Sequence, residues 1–317
     1  MTTTTNVGTR PVPATTTTRT APPLDSSGRA AWGFLAPFGL FYVLFILGPL
    51  AYQFVSSFFA TSLVRPGIGP VLGLGNYVEV LTSSVFWISV RNTLVFTVLT
   101  AVPLVLLGLI LAILVNRVSR AQWLFRLAFF APYVLPSATM ALIWYFLYSP
   151  ELGLIDSLLS ALGIGPAAVL GNPLTVLPAI ALSTIWWTLG FNFVLYLAGL
   201  QEIPRDLYEA ASLDGASTWE QIRYITVPLL ARTTTLVLVL QIINSLKVFD
   251  QIFIMTGGAG GPDNASIPVL MYVYNTSFTD YRVGAASAAS MVFFLLILGV
   301  SAVWLTLTRR NQGQVNR

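Results

Sequence analysis

The sequence contains no cysteine and no histidine, and Lys247 is its only lysine. Disulfides, thiolate nucleophiles, His-based triads and ordinary zinc sites are therefore excluded. Leu246 precedes the lysine, so the glycine–lysine step of a phosphate-binding P-loop is absent as well. The glycine-rich segment TGGAGGPDN at 256–264 lacks the P-loop spacing and is interpreted as a loop. We predict no catalytic residue, no metal site and no cofactor bound by this chain, and any ATP would be hydrolysed by another chain.

Charge is also scarce, since 9% of the 317 residues are charged, 56% are hydrophobic and the mean hydropathy is +0.78. Soluble domains carry about a quarter charged residues. A helix needs about 20 apolar residues to span a membrane, and six stretches can supply them. The sequence therefore predicts an all-α polytopic membrane protein with six transmembrane helices, whose membrane domain covers residues 30–310. The predicted spans are 32–60, 88–115, 124–149, 174–199, 228–256 and 283–308.

Positive charge is unevenly distributed over the loops between these spans, and Lys and Arg in short loops stay on the cytoplasmic side. One side has only Arg65 and Arg282, with Arg91 as a third candidate. Both termini are therefore predicted to be cytoplasmic, as an even number of spans requires, and the pI near 9.5 reflects this topology. The other side collects Arg10, Arg19, Arg29, Arg117, Arg120, Arg126, Arg205, Arg223, Arg232, Arg309, Arg310 and Arg317.

The first 29 residues are rich in Thr and Pro and have too little apolar surface to pack. They predict a disordered cytoplasmic tail, with an organelle transit peptide as the alternative. A cleaved secretory signal is disfavoured, because the apolar stretch after Arg29 is too long and lacks a small-residue cleavage pattern. Residues 311–317 are predicted to be a second cytoplasmic tail.

Residues 204–227 form a charged, helix-forming loop between the fourth and fifth spans. Pro204 suits the first turn of a helix, and Gly215 can end that helix in the left-handed conformation. Ser217 and Glu220 have the spacing of a capping box, which starts a second helix. Two short helices around a glycine are expected to form a rigid projection on the cytoplasmic side.

An amphipathic linker lying on the lipid accounts for the periodicity of this loop equally well. Its charge favours another partner, because anionic lipid and nucleic acid both attract basic surfaces. A DNA-binding helix-turn-helix is disfavoured for the same reason, so no nucleic-acid partner is expected, and a protein partner fits better. The acidic residues between 201 and 227 are Glu202, Asp206, Glu209, Asp214 and Glu220, against Arg205 and Arg223.

The loop contains Glu209-Ala210-Ala211, followed after three residues by Gly215 and after nine more by Ile225-Thr226-Val227-Pro228. This motif resembles the EAA loop of permease subunits of bacterial binding-protein-dependent ABC importers. Two positions depart from that pattern: Val227 replaces a usual leucine and Arg232 a frequent proline. The resemblance covers about residues 30–310. The segments GLQEIPRDLYEAA at 199–211 and NSLKVFDQIFIMTGGAGGPDNAS at 244–266 are similar to the carbohydrate-uptake branch, that of maltose and glycerol-phosphate permeases.

The resemblance implies that 204–227 is a cytoplasmic coupling loop that seats in a groove of a separate ATPase. It also implies a multi-pass position in the inner or plasma membrane of a prokaryote. The implied partners are a second permease subunit, an ABC ATPase dimer with its ATP and magnesium, an extracytoplasmic solute-binding protein at the outer loops, a sugar-like solute and membrane lipid. The implied ATPase-coupling residues are Glu209, Ala210, Ala211, Asp214, Gly215, Ile225 and Pro228.

Ionisable groups inside a membrane usually face a cavity or one another. Lys247 and Asp250 lie three residues apart in the predicted fifth span, so on a continuous helix they can pair on one face. Such a pair lines a solute path or simply locks helices together, and both interpretations stay open. The predicted substrate-lining set is Lys247, Asp250 and Asn244 from the fifth span with Ser183, Trp187, Asn192 and Tyr196 from the fourth.

Three other classes of function were considered. A proton-coupled secondary transporter could use Lys247 and Asp250 as its relay, but it would have no evident use for the acidic loop. A membrane enzyme acting on lipid-linked substrates should show clustered carboxylates at the membrane edge, and the sequence has none. A structural subunit that assembles with a transporter without forming its path is the third alternative.

Overall fold

The computed structural model describes residues 28–315, except 66, 118–121, 151 and 164–167. The predicted tail at 1–29 lies outside the described residues apart from its last two, and so do residues 316–317 of the other predicted tail. The chain divides into two compact units, residues 1–51 and 52–317. Across the described ranges the regular structure is helical, without a β-strand.

In the first unit, helix α1 runs over Gly28–Tyr42 and is followed by a π-helical turn at Val43–Leu47. Its described aromatic side chains, including Phe34, Phe38 and Phe41, are exposed. Exposed apolar patches of this kind mark surfaces that contact a membrane or another protein. Helix α2, Gly48–Ser56, follows the turn, and its residues from Tyr52 onward belong to the second unit.

The second unit contains the remaining helices. They are α3 Gly75–Thr82, α4 Ser84–Asn116, α5 Gln122–Phe130, α6 Ser137–Leu147, α7 Leu154–Ala161, α8 Val176–Gln201, α9 Arg205–Leu213, α10 Thr218–Gln221, α11 Val227–Leu229, α12 Ala231–Leu246, α13 Asp250–Met255, α14 Val269–Tyr274 and α15 Val283–Val315. Short 3₁₀ or π segments join several of them, among them Ala131–Val134 between α5 and α6 and Ile222–Thr226 between α10 and α11.

Among the described residues, three helices are long and apolar enough to cross a membrane: Phe34–Ser56, Ser84–Asn116 and Val176–Gln201. The number rises to five if each of two bent helix pairs forms one span. One pair bends by 94° between Val134 and Ser137, and the other bends by 63° at Leu230. A shorter apolar stretch, Val283–Gly299, lies in α15, and that helix continues past the predicted end at 308 to Val315.

Two apolar cores pack against different parts of α8. One core, the α13-side core, takes residues 176–181 of α8 together with Ile252 and Met255 of α13. The other, the α9-side core, takes residues 193–200 of α8 together with Leu230 at the start of α12. The stretch of α8 between the two cores buries four polar side chains, Ser183, Thr184, Thr188 and Asn192. The structure leaves a cavity beside this stretch.

Candidate functional site: a coupling loop and a polar cavity

Helix α9 begins directly after Pro204, and Asp206 lies in its first turn, where the positive end of the helix dipole favours an acid. It ends at Leu213, and Gly215, two residues further on, has a φ of +83°. The Gly215 amide donates to the Ser212 carbonyl and the Ala216 amide to the Ala211 carbonyl, at 3.1 and 2.9 Å. These are the two hydrogen bonds of a Schellman motif, which requires a left-handed residue at this position.

Helix α10 begins with the capping box that the sequence predicts. The Ser217 hydroxyl accepts a hydrogen bond from the Glu220 amide, and the Glu220 carboxylate accepts one from the Ser217 amide at 2.7 Å. The Ser217 hydroxyl also donates to the Glu220 carboxylate at 2.6 Å. This bond and the bond from the Ser217 amide stabilise the charged carboxylate, so the pKa of Glu220 lies below its ordinary value of 4.5. The start of the second helix is thus fixed by side chains within the loop itself.

Replacing Glu220 with alanine should speed amide hydrogen exchange at 217–221 at pH 7, because the amide and the hydroxyl of Ser217 both lose the carboxylate that accepts their hydrogen bonds. A carboxylate whose pKa is lowered on folding stabilises the folded loop above pH 4.5, and this contribution disappears as the pH falls through the lowered pKa. The difference between the two proteins should therefore vanish in acid. Asp206→Ala is the control, since it removes another acid of the loop without touching the box, and equal exchange in all three proteins at pH 7 would contradict the assignment.

Side-chain hydrogen bonds also connect the parts of the coupling loop. The Tyr208 hydroxyl of α9 is 2.9 Å from the Thr226 hydroxyl, and Gln221 Nε2 donates to Ser212 Oγ at 2.9 Å. The segment that starts with α10 runs through a π-helical turn to Leu229, so Pro228 lies inside it, and the chain bends only at Leu230. Side-chain hydrogen bonds therefore join α9 to both α10 and the π-helical turn that follows it.

The surface of this loop combines acidic and apolar groups. Of the predicted coupling residues, Glu209, Ala210, Asp214, Gly215 and Pro228 are exposed, and Ala211 and Ile225 are half-buried. Large apolar side chains stand beside them: Leu213 is 90% exposed, Tyr224 69% and Trp219 67%. Exposed aromatic and aliphatic anchors among charged groups are typical of protein–protein interfaces.

The cavity has a volume of about 310 Å³ and lies where α8 passes from one core to the other. Helices α4 and α8, the break between α5 and α6, and the break between α12 and α13 all contribute to its wall. The lining residues are Phe96, Leu104, Tyr133, Ser137, Thr184, Trp187, Thr188, Gln241, Asn244, Ser245, Lys247, Val248, Phe249, Asp250 and Gln251.

Four of the predicted substrate-lining residues line this cavity: Lys247, Asp250, Asn244 and Trp187. The other three do not. Ser183 is buried and donates to the Ile180 carbonyl. Asn192 and Tyr196 are fully buried and lie closer to the C-terminal end of α8 than the residues that line the cavity.

The predicted helical pairing of Lys247 with Asp250 is wrong. Helix α12 ends at Leu246, Lys247 leaves the helical conformation, and α13 begins at Asp250, so the two residues do not share a helix face. The Asp250 carboxylate instead accepts a hydrogen bond of 2.6 Å from the Ser137 hydroxyl, at the first turn of α6. Within the described part of the chain, the ion pair is between Glu79 and Arg282.

Sequence reasoning missed the contribution of the third predicted span, which is broken rather than continuous. Pro132 and Pro136 were the available signal, since prolines inside a span are tolerated where helices break to line a cavity. The break brings Tyr133 to the cavity, where its ring lies 5.0 Å from that of Phe191. Trp187 Nε1 donates to the Leu135 carbonyl at 3.1 Å, so the aromatic wall is held by the broken segment.

Gly190 explains how closely this segment packs on α8. A Cβ atom at this position would lie 1.9 Å from the Phe129 carbonyl oxygen, so only glycine allows the approach. Thr188, two residues before Gly190 on the same helix, lines the cavity. The shape of the cavity therefore depends on backbone contact as well as on side chains.

Apolar helices that are long enough for a bilayer, a polar cavity between two apolar cores, and an exposed acidic helix pair define a membrane transport component. The chain belongs to the family of binding-protein-dependent transport system inner membrane components, whose family model matches residues 104–308.

Characterised relatives cover most of the chain. It is 38% identical to the trehalose/maltose transport system permease protein MalF of Thermococcus litoralis over 76% of this chain and 80% of that protein. It is 34% identical to the sulfoquinovosyl glycerol transport system permease protein SmoG of Agrobacterium fabrum over 87% and 89%. It is 31% identical to the arabinooligosaccharides transport system permease protein AraP of Bacillus subtilis over 91% of both chains.

The fold is also that of a solved structure. A chain of a bacterial ABC transporter involved in the import of the acidic polysaccharide alginate matches with a TM-score of 0.78 and 24% identity. The match covers 90% of this chain and 97% of that one. The predicted resemblance to ABC importer permeases is thereby confirmed at the level of the family and its fold.

Proposed function

We propose that this protein is the membrane-spanning permease subunit of an ATP-driven importer, and that its cavity forms part of the path of a sugar or sugar-like solute. The observation that carries the proposal is the placement of both sites on one pair of helices. Helix α8 and helix α12 line the cavity, and the chain between them is the exposed coupling loop. A force applied to the loop is therefore transmitted directly to the walls of the cavity.

We also propose the topology that the arginine distribution predicts. Six spans, each bent helix pair counting as one, place both termini and the coupling loop in the cytoplasm of a prokaryotic cell. The protein is then a multi-pass component of the inner or plasma membrane. Its outer loops, at about 65–84, 151–173 and 257–282, would face the solute-binding protein.

The coupling loop would contact an ABC ATPase dimer, which binds the ATP and magnesium. Leu213, Trp219 and Tyr224 supply exposed apolar surface for that contact, and Glu209 and Asp214 supply charge. One chain offers one such loop and an ATPase dimer offers two grooves, so a second permease subunit completes the importer. The hydrogen bonds of the Schellman motif and the capping box support this role, because a stiff loop transmits displacement better than a flexible one.

A sugar-like solute suits the chemistry of the cavity. Aromatic rings such as Tyr133 and Trp187 offer faces to the apolar side of a sugar ring, and the carboxylate of Asp250 and the amide of Asn244 offer hydrogen-bond partners for its hydroxyls. The volume of about 310 Å³ lies at the small end of ligand pockets. The names of the relatives, which refer to trehalose, maltose, sulfoquinovosyl glycerol and arabinooligosaccharides, point to the same class.

The proposal is tested by purifying the complex from its native membrane, identifying the chains that co-elute, and measuring which sugar stimulates ATP turnover after reconstitution. Glu209→Lys should lower recovery of the ATPase severalfold, because it reverses a charge at the proposed contact. Asp280→Lys is the matched control: it reverses an exposed carboxylate on a predicted outer loop and should leave recovery unchanged. Full recovery of the ATPase with Glu209→Lys would show that this carboxylate lies outside the contact.

The same experiment separates the importer from a proton-coupled transporter. Such a transporter would move its solute in vesicles that contain this chain alone, with a proton gradient and no ATP. Nothing in the cavity favours that mechanism, because Lys247 and Asp250 do not pair. Uptake without an ATPase would nevertheless overturn the proposed function.

A further inference from the structure

Polar side chains recur every fourth residue along one face of α8: Thr184, Thr188, Asn192 and Tyr196. Residues four apart on a helix lie on the same face. The first two line the cavity, whereas Asn192 and Tyr196 are fully buried against the α9-side core. The stripe therefore continues from the cavity into a region where polar groups are costly.

Asn192 is connected to the cavity by one hydrogen bond. Gln241, on α12, lines the cavity, and its Nε2 donates to Asn192 Oδ1 at 2.7 Å. The nitrogen and oxygen of an amide group point in different directions, so holding the nitrogen on Asn192 fixes the orientation of the oxygen. Gln241 Oε1 is then the hydrogen-bond acceptor that Gln241 presents to the cavity.

The contact with Gln241 leaves Asn192 with one unsatisfied hydrogen-bond donor. Among the described residues, its Nδ2 has no hydrogen-bond partner, although the side chain is fully buried. Gly108 of α4 packs so tightly that a Cβ there would lie 3.0 Å from Asn192 Cβ. A buried donor without a partner destabilises a fold, whereas an apolar side chain of the same size would not. The residue is therefore poorly explained by packing and well explained by its hold on Gln241.

We propose that Asn192 is a positioning residue for solute recognition: it orients the amide of Gln241 so that Oε1 accepts a hydrogen bond from one solute hydroxyl. Gln241 is then a specificity-determining residue of the cavity. This inference rests on the proposed function, since it concerns the same sugar path. It adds a recognition group that neither helix spacing nor charge pointed to.

The test uses the reconstituted importer with all its subunits, and trehalose, maltose and lactose as probes. Import per ATP hydrolysed is measured with the solute-binding protein saturated, so that its affinity does not limit the rate. Asn192→Leu and Gln241→Leu should each lower this ratio about tenfold for the transported sugar, the effect of one lost hydrogen bond in a recognition site. Asn192→Asp should restore it, because it keeps an acceptor oxygen for Gln241.

Monodeoxy analogues of the transported sugar make the test specific. The wild type should import one analogue about tenfold less efficiently than the parent sugar. Asn192→Leu should import that analogue and the parent sugar equally well. The melting temperature of Asn192→Leu should change little, because the variant loses the unpartnered Nδ2 donor of Asn192 but takes the acceptor from Gln241 Nε2. Leu197→Ile is the control: Leu197 is buried in the α9-side core five residues further along α8, and this variant should keep the wild-type ratio.

Wild-type import by Gln241→Leu would overturn the proposal, even if Asn192→Leu failed to fold. So would discrimination against the same analogue that persists in a folded Asn192→Leu protein. If the wild-type complex imports none of the sugars with ATP, the proposed function fails together with this inference. If the wild type imports and the two leucine variants do so equally well, the inference alone fails.

Discussion

Replacing Gly215 with valine is expected to abolish most solute import while the chain remains inserted in the membrane. Gly215 has a φ of +83°, and a Cβ there would meet no atom within 4 Å, so the strain is conformational rather than a collision. Holding a β-branched residue in this region costs about 1–3 kcal/mol. Relief of that strain breaks the Schellman hydrogen bonds at the end of α9 and changes the angle between the two short helices.

The measurement is ATP-driven uptake by the reconstituted complex, which should fall at least about tenfold with Gly215→Val, and solute should no longer stimulate ATP turnover. Gly215→Asn is the matched control, because asparagine tolerates the left-handed conformation, and it should retain most of the uptake. Membrane insertion and the melting temperature should change little in either variant. Normal uptake by Gly215→Val would mean that the left-handed turn is not needed for coupling.

A second large effect is expected from Gly190→Val, this time on folding. The Cβ alone would lie 1.9 Å from the Phe129 carbonyl oxygen, and backbone cannot move aside as a flexible side chain can. The 3₁₀ segment Ala131–Val134 would be pushed off α8, and Tyr133 would leave the cavity wall. Overpacking of this kind costs about 3 kcal/mol or more.

We expect Gly190→Val to reduce the yield of folded protein severely, measured as the monodisperse fraction after extraction in detergent and its melting temperature. Gly299→Val is the control, since a Cβ at that glycine meets no atom within 4 Å. Gly190→Ala should already lower the melting temperature, because the clash needs only the Cβ. A melting temperature for Gly190→Ala equal to that of the wild type would contradict the close approach of α5 to α8.

The structure of the loop at 204–227 was largely readable from the sequence, because it is set by neighbours in the chain. The local signals are Pro204, Gly215 and the pair Ser217 and Glu220. Each one affects only backbone within four residues of itself, and each takes the predicted role in the structure. The hydrogen bonds from Tyr208 to Thr226 and from Gln221 to Ser212 were not predicted. They depend on how the two short helices turn toward each other, which no local pattern specifies.

The cavity was predicted only in part, because it is formed where helices break. Composition shows that residues 124–149 and 228–256 are apolar enough to span, but composition does not show where a span loses its helical hydrogen bonds. The break at Lys247 explains why the spacing argument for Lys247 and Asp250 failed: i and i+3 neighbours meet only on an unbroken helix. The same break brings Asp250 to Ser137, 113 positions away in the sequence.

Lys247 gives the cavity a built-in chemical handle. It is the one lysine of the whole sequence, and its side chain is exposed on the cavity wall. A small amine-directed reagent that enters the cavity therefore finds a single ε-amino group on this polypeptide, with no cysteine or histidine to compete for it. The native sequence can thus carry one site-specific spectroscopic label in the chamber itself, with no engineered attachment point.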